Sequence, residues 1–195
     1  MIATDALAHR GTIVVAVVAC LLAGCATNRA LMPTPVLYIG PNAKPLFTDS
    51  PIEPRPPTLD LFFVTDRAPA DRPGDLPYTA ERSRAIAFGS TMIEFGEGVT
   101  LGMLATQSAT PHRAVPIPIA LGATTELGRF PATPYPLVTG PDGMRRAPAV
   151  VEAHEEAKQR LQSEIGRRLD IARRKEVVLF VHGYRSSFES AALTM

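Results

Sequence analysis

The sequence predicts an α/β protein, and three stretches carry that expectation. Val177–Val181 is a continuous apolar run closed by His182 and Gly183. Bounded in this way, it has the pattern of a strand buried on both faces, as in a parallel sheet. Just before it, from Ala149 to about Arg174, Ala153, Ala157, Leu161, Ile165 and Leu169 recur every fourth residue, which predicts a helix with one apolar face. Far upstream, Leu59–Thr65 is rich in β-branched and aromatic residues and predicts the first strong strand. After the apolar run, Ser186 and Glu189 fit a capping box, so a further helix should start near Ser187. Strand, loop and helix in that order place a ligand site at the carboxyl end of the strand.

The bulk composition narrows the function classes. The 195 residues carry a net charge of +1 and are 46% hydrophobic, which suits one globular domain with extensions. That balance offers no footprint for nucleic acid. All of the 19 prolines lie between Pro33 and Pro148. The tail is therefore free to form an unbroken helix and strand, while the middle must be extended or turning.

The N-terminus has the anatomy of an export signal. Arg10 precedes an apolar stretch of about 12 residues that ends in small residues. That stretch is shorter than the roughly 20 apolar residues a membrane span needs. Leu22-Ala23-Gly24-Cys25 resembles the bacterial lipobox. The resemblance implies removal of residues 1–24 as a lipoprotein signal peptide and acylation of Cys25, palmitate among the acyl groups. Membrane lipid is then a partner through that residue. An uncleaved anchor and a simple secretory signal are the alternatives. Ala26, where an Asp would hold a lipoprotein at the inner membrane, implies an outer-membrane lipoprotein of the bacterial cell envelope, facing the periplasm. Cleavage would leave Cys25 as the single cysteine, so no disulfide could form within the mature chain.

Residues 25–57 follow as a proline-rich tether, extended and semi-rigid, with a weak strand candidate at Val36–Ile39. Residues 58–195 form the domain. Asp66-Arg67 ends the first strand, and Ala68–Pro77 is a loop. Arg84–Phe88 and Thr91–Phe95 are two short strand candidates. Gly96-Glu97-Gly98 is a turn, and Val99–Leu104 could pair with Thr91–Phe95 as a hairpin. Val115–Ile119, interrupted by Pro116 and Pro118, suits an edge or irregular segment. Thr124–Gly143 is loop, with a turn at Pro141-Asp142-Gly143. Acidic residues at the start of the long helix and Arg167, Arg168, Arg173, Arg174 and Lys175 at its end complement its dipole. The basic run is read as a solvated helix end.

The His182-Gly183-Tyr184 loop is the candidate site. In acyl transfer, negative charge develops on a carbonyl oxygen, and two backbone N–H groups aimed at it stabilise the transition state. In α/β-hydrolases one donor comes from a His-Gly loop after an early strand. Gly183 and Tyr184 are thus oxyanion-hole candidates. The structural alternative is a left-handed glycine turn with His182 packed beside it. No metal site is expected: His154-Glu155 begins like H-E-x-x-H, but Lys158 stands where the second His belongs. No cofactor motif is present either.

A wider pattern bears on the loop. Phe62-Phe63-Val64-Thr65-Asp66-Arg67, Tyr78 with Glu81-Arg82-Ser83, Phe88-Gly89-Ser90, and Phe180-Val181-His182-Gly183-Tyr184 with Phe188 occur in that order. Together they resemble a bacterial family of unknown function classed with esterase- and lipase-like α/β-hydrolases. Arg185 departs from the Asn usual in that family. The resemblance runs from about Leu59 to Met195. It implies an N-terminal fragment of an α/β-hydrolase-like fold, a serine-hydrolase mechanism without metal, and a small ester as substrate.

That mechanism needs Gly-x-Ser-x-Gly, then an acid, then a His. The sequence holds no Gly-x-Ser-x-Gly. The expectation is therefore that no catalytic triad residue lies in this chain. Nucleophile, acid and base would fall beyond residue 195, and the chain as written would be inactive. Asp66 precedes the His-Gly loop and is read as structural. The alternative function is a non-catalytic lipoprotein, binding a partner or a decayed remnant.

Overall fold

Four antiparallel strands form the main sheet of the computed structural model. The structure describes residues 29–35, 39, 57–72, 76–172, 175–183 and 185–194. The strands are β1 (Arg29–Ala30), β2 (Thr58–Pro69), β3 (Tyr78–Phe95) and β4 (Pro118–Arg129), in the spatial order β1-β4-β3-β2. Helix α1 (Leu101–Ser108) lies between β3 and β4 in the chain. The hairpin β5 (Leu137–Gly140) and β6 (Gly143–Arg146) follows, then helix α2 (Pro148–Ile171) and a short helix α3 (Phe188–Ala192). Strands and helices together make this an α/β protein. Among the described residues, every strand pairing is antiparallel.

The register sorts side chains onto two faces, because neighbouring residues of a strand point oppositely. Leu61 pairs with Thr91, and Phe63 with Gly89. These residues share a face with Ala87 and Ile93, and α3 covers it through Phe188, Ala192 and Leu193. A further cluster of Val99, Leu104 and Ile117 packs α1 beside Leu31 and Phe95. Phe62 pairs with Ser90, and Val64 with Phe88. That opposite face carries Phe88, fully buried, against Phe62 and Phe130, with ring centroids 6.3 and 6.0 Å away.

Helix α2 is fastened to the second face by polar as much as apolar contacts. Ala157 is its buried residue, and His154 rests on Phe130 at 5.1 Å. Arg168 leaves the helix to reach the Asp60 carboxylate at 2.9 Å and Ser90 Oγ at 3.0 Å, and it lies over the Phe62 ring at 5.2 Å. It also pairs with Glu164 at 2.8 Å. Arg168 is thus a clamp between helix and sheet and not part of a solvated end. At the helix terminus Lys175 Nζ donates to the carbonyls of Leu169 and Asp170 at 2.6 and 2.9 Å, satisfying acceptors the helix leaves open.

Several expectations need correction. Arg84–Phe88 and Thr91–Phe95 are one strand of 18 residues. Gly89 does not break it, because close approach demands glycine there: a Cβ would stand 2.2 Å from the Thr125 carbonyl oxygen and 2.7 Å from Phe63 Cζ. β2 continues past Asp66-Arg67 to Pro69, where it still pairs with Tyr78. The Val99–Leu104 segment is not a hairpin strand. Thr100 caps α1, its Oγ1 accepting from Met103 N at 3.2 Å, and β3 pairs instead with β4. β4 therefore occupies residues expected to be loop as far as Arg129. The turn at Pro141-Asp142 joins β5 and β6, with Gly143 at φ 108°.

The tether expected over residues 25–57 is part of the body at Arg29–Thr34. β1 pairs with Ile119 and Pro118, Leu31 N donates to the Ile117 carbonyl at 2.8 Å, and Thr34 is buried. The weak strand candidate at Val36–Ile39 lies, but for Ile39, outside the described residues.

The largest correction concerns Val177–Val181. The run belongs to no strand, and its side chains are 46 to 93% exposed, Val178 most of all. An apolar run becomes a buried strand only when neighbouring strands and covering helices supply the burial. No described element does so.

Two outcomes are expected. Gly89→Ala pushes a methyl into backbone of β4 and should destabilise the fold by about 3 kcal/mol, read from the urea midpoint. Hydrogen bonds from Arg167, then Arg168, hold the Glu164 carboxyl down to about 2 from 4.5. A depressed carboxyl stabilises the fold above its unfolded value and loses that contribution as pH falls. Glu164→Gln should therefore lower stability by about 1 kcal/mol at pH 7, and the gap to the parent should shrink as pH drops from 4.5 toward 2.

Candidate functional site: the loop after the apolar run

The loop is placed by its downstream side. Phe188, first residue of α3, is buried against Phe63 and Tyr78, with centroids 4.9 and 4.8 Å away, and Phe63 meets Tyr78 edge-on at 5.5 Å. Such tilted and edge-on aromatic contacts add about 1 kcal/mol each beyond burial. The Tyr78 hydroxyl donates to Glu126 Oε2 at 2.8 Å. Burial first, then that hydrogen bond and the carboxylate's charge, push the Tyr78 pKa well above its ordinary value. Arg129 holds the same carboxylate through Nε at 2.9 Å and Nη2 at 2.6 Å.

Arg67 supplies the second attachment. Its Nη1 donates to the Thr79 carbonyl at 3.1 Å and its Nη2 to the Ser186 carbonyl. The guanidinium thereby bridges β2, β3 and the loop's end. Asp66 points elsewhere, into an exposed pair with Arg82, and takes no part in the loop. Within the Thr-Asp-Arg motif, the residue that reaches the loop is Arg67. The sequence signal for this was a cation placed inside a β-rich run with no helical partner.

The helix cap lies one residue later than expected. Ser187 Oγ accepts from Ser190 N at 3.0 Å, while Ser186 gives its carbonyl to Arg67. Phe188 must enter the aromatic cluster as the first helical residue, which leaves Ser187 at the cap. Neither serine stands as a nucleophile on a strand-to-helix elbow.

Within the loop, Ser186 N approaches the Gly183 carbonyl at 3.5 Å, closing a four-residue turn. Arg185, third in that turn, has φ 66°. Type II and type I′ turns require a left-handed residue there, where Gly and Asn are favoured. This accounts physically for the Asn that the resembling family carries at the position of Arg185. The left-handed residue is therefore Arg185 and not Gly183. A Cβ on Gly183 would meet no atom within 4 Å, so no neighbour requires the glycine. His182 is exposed, and its Nδ1 lies 2.9 Å from the Gly183 carbonyl. With the proton on Nδ1 it donates there and leaves Nε2 free to accept. The proposed N–H donor of Tyr184 lies outside the described residues, as does Cys25.

A groove of about 470 Å³ opens between α2 and β4, lined by Phe88, Leu127, Gln159, Ser163, Glu164 and Arg167 among others. Phe88 faces α2 and Phe188 the opposite side of the sheet, so the groove and the loop are separate. Among the described residues, no group of His, Cys, Asp and Glu could hold a metal ion, and no helix is long and apolar enough to cross a membrane.

Comparison with known families fits the loop. The family profile "Alpha/beta hydrolase of unknown function (DUF900)" matches residues 157–195. The match supports similarity to an α/β-hydrolase-like family. It spans most of α2, the apolar run, the His-Gly loop and α3. No curated protein and no solved structure matches the chain. The upstream motifs lie outside the matched segment, yet Phe63, Arg67 and Tyr78 are the residues that fasten it.

Relief of the left-handed strain should be measurable. Arg185→Asn should raise stability by about 1 kcal/mol, seen as a higher melting temperature, whereas Arg185→Val should lower it.

Proposed function

We propose that this chain is a membrane-anchored lipoprotein bearing the oxyanion-loop portion of a serine esterase-like α/β-hydrolase. The observation that carries the reading is the His182-Gly183 loop, set at the end of an exposed apolar run and locked to the sheet by Arg67 and Phe188. The family similarity over residues 157–195 supports it. In this reading Gly183 and Tyr184 offer backbone N–H groups to a developing oxyanion, His182 shapes the turn, and a small ester is the substrate class. The lipobox at Cys25 supplies the anchor: several acyl chains hold where one binds marginally.

The 195 residues contain no Gly-x-Ser-x-Gly. An oxyanion loop without an activated nucleophile stabilises a charge that never forms. These residues alone are therefore proposed to be catalytically silent.

A second reading, a non-catalytic binding lipoprotein, is favoured by one observation. Five consecutive apolar side chains, Val177–Val181, stand exposed, and a contiguous exposed apolar run is a surface that a partner can cover.

The test is ester turnover by the purified 195-residue chain. With p-nitrophenyl acetate and butyrate, the rate should equal that of buffer, and a fluorophosphonate probe should leave the protein unlabelled. Saturable turnover, or covalent labelling of any serine, would overturn the assignment of silence.

A further inference from the structure

We propose that the β1 end of the sheet is the surface that faces the lipid bilayer, held there at short range by the acylated N-terminus. This rests on the lipoprotein reading of Cys25 and goes beyond it by assigning distance and orientation.

The argument begins with reach. A proline-rich tether over residues 25–57 would extend about 3.1 Å per residue, roughly 100 Å in all, and leave the domain free to turn. The structure shortens that link. Arg29 and Ala30 are strand residues paired with Ile119 and Pro118. Four virtual bonds of about 3.8 Å separate Cys25 from Arg29, so covalent geometry confines Arg29 to about 15 Å of the anchor.

The attachment is built from several independent contacts. Leu31 N donates to the Ile117 carbonyl at 2.8 Å, and Leu31 packs with Val99, Leu104 and Ile117. Arg113 Nη1 donates to the Leu31 carbonyl at 3.0 Å and to that of Met32. Arg29 Nη1 donates to Ser190 Oγ of α3 at 3.2 Å. Sheet, α1-proximal core, Arg113 and α3 each grip this short segment, so it cannot be pulled free without losing all four.

The surface at this end is also suited to an interface. Met32, Met103 and Val115 are 51, 45 and 61% exposed; Met32 follows Leu31, Met103 precedes Leu104, and Val115 lies between Arg113 and Ile117 in the chain. Flexible thioethers and a valine can enter the headgroup boundary without a buried polar cost. No acidic residue lies between Thr100 and Ala123, the segment that contains two of the three.

The sheet provides its own control position. Phe95 pairs with Ile119, the partner of Arg29. Glu81 lies 14 residues back along the same strand β3 and is exposed. At about 3.3 Å per residue it stands roughly 45 Å from the β1 end.

The test uses the full chain, acylated in a bacterial envelope and reconstituted in phosphatidylcholine vesicles. Single cysteines are introduced as Met32→Cys, Val115→Cys and Glu81→Cys. Once residues 1–24 are removed and Cys25 is acylated, each introduced thiol is the only one free to take a bimane label. The mass of the N-terminal peptide reports acylation separately. Headgroup-nitroxide lipid should quench labels at 32 and 115 at least threefold more than the label at 81. Equal quenching at all three positions, with the acyl mass present, would overturn the orientation while sparing the anchor. Absence of the acyl mass would overturn the anchor and the orientation together.

Discussion

The C-terminal part of this molecule hangs on one junction, where Arg67 and the Phe63–Tyr78–Phe188 cluster seize the loop that follows the apolar run. The two halves of the junction act differently. The aromatic rings supply non-directional burial, while the guanidinium fixes position by meeting carbonyls of two separate segments. The Ser186 carbonyl is only partly buried, but a hydrogen bond from a charged donor still contributes about 1.5–3 kcal/mol at most, so the loop has reason to return to Arg67. The cluster has its own second support, since Tyr78 is steadied by Glu126, and Glu126 by Arg129. Three strands thus contribute to holding one turn.

The opposite face is held by a different balance. Helix α2 presents few buried apolar side chains, with Ala157 as its buried residue. Most of its outward ion pairs, such as Lys158 with Glu155 and Arg160 with Glu156, are exposed, and exposed pairs contribute little. Arg168 is the exception, because it meets Asp60, Ser90, Glu164 and the face of Phe62 at once. Arg168 thus adds a charge-dependent part to an attachment that Ala157 and His154 share, and that part should weaken with salt.

How much was legible follows from what each signal contains. The long helix was visible because its period repeats over 24 residues, and the Pro141-Asp142-Gly143 turn because its chemistry is local. β3 was broken in two because Gly89 resembles punctuation; only the proximity of Thr125 and Phe63 shows that the glycine is there for space. The part of β4 from Thr124 to Arg129 reads as loop because its residues, Gly and Thr among them, gain strand character from their neighbours and little from their own propensity. Val177–Val181 has the strongest strand pattern in the chain, yet a pattern states a demand for burial and cannot show that the demand is met. The loop stands out in the sequence through its His-Gly pair, and Phe188 through the family resemblance. Arg67's grip on Ser186 does not stand out, because 119 residues separate them. The left-handed turn enters only as the structural alternative at Gly183, whereas the left-handed residue is Arg185, where residue type gives no sign of it.

The apolar run has fixed points on both sides. Upstream, Lys175 is bound to the last carbonyls of α2; downstream, Ser186 and Phe188 are bound to the sheet. A segment tied at both ends has given up part of its backbone freedom, and ordering a free chain costs about 1–2 kcal/mol per residue. Any strand that came alongside Val177–Val181 would therefore meet a segment already confined at both ends, and more of the entropic toll of joining would fall on the newcomer.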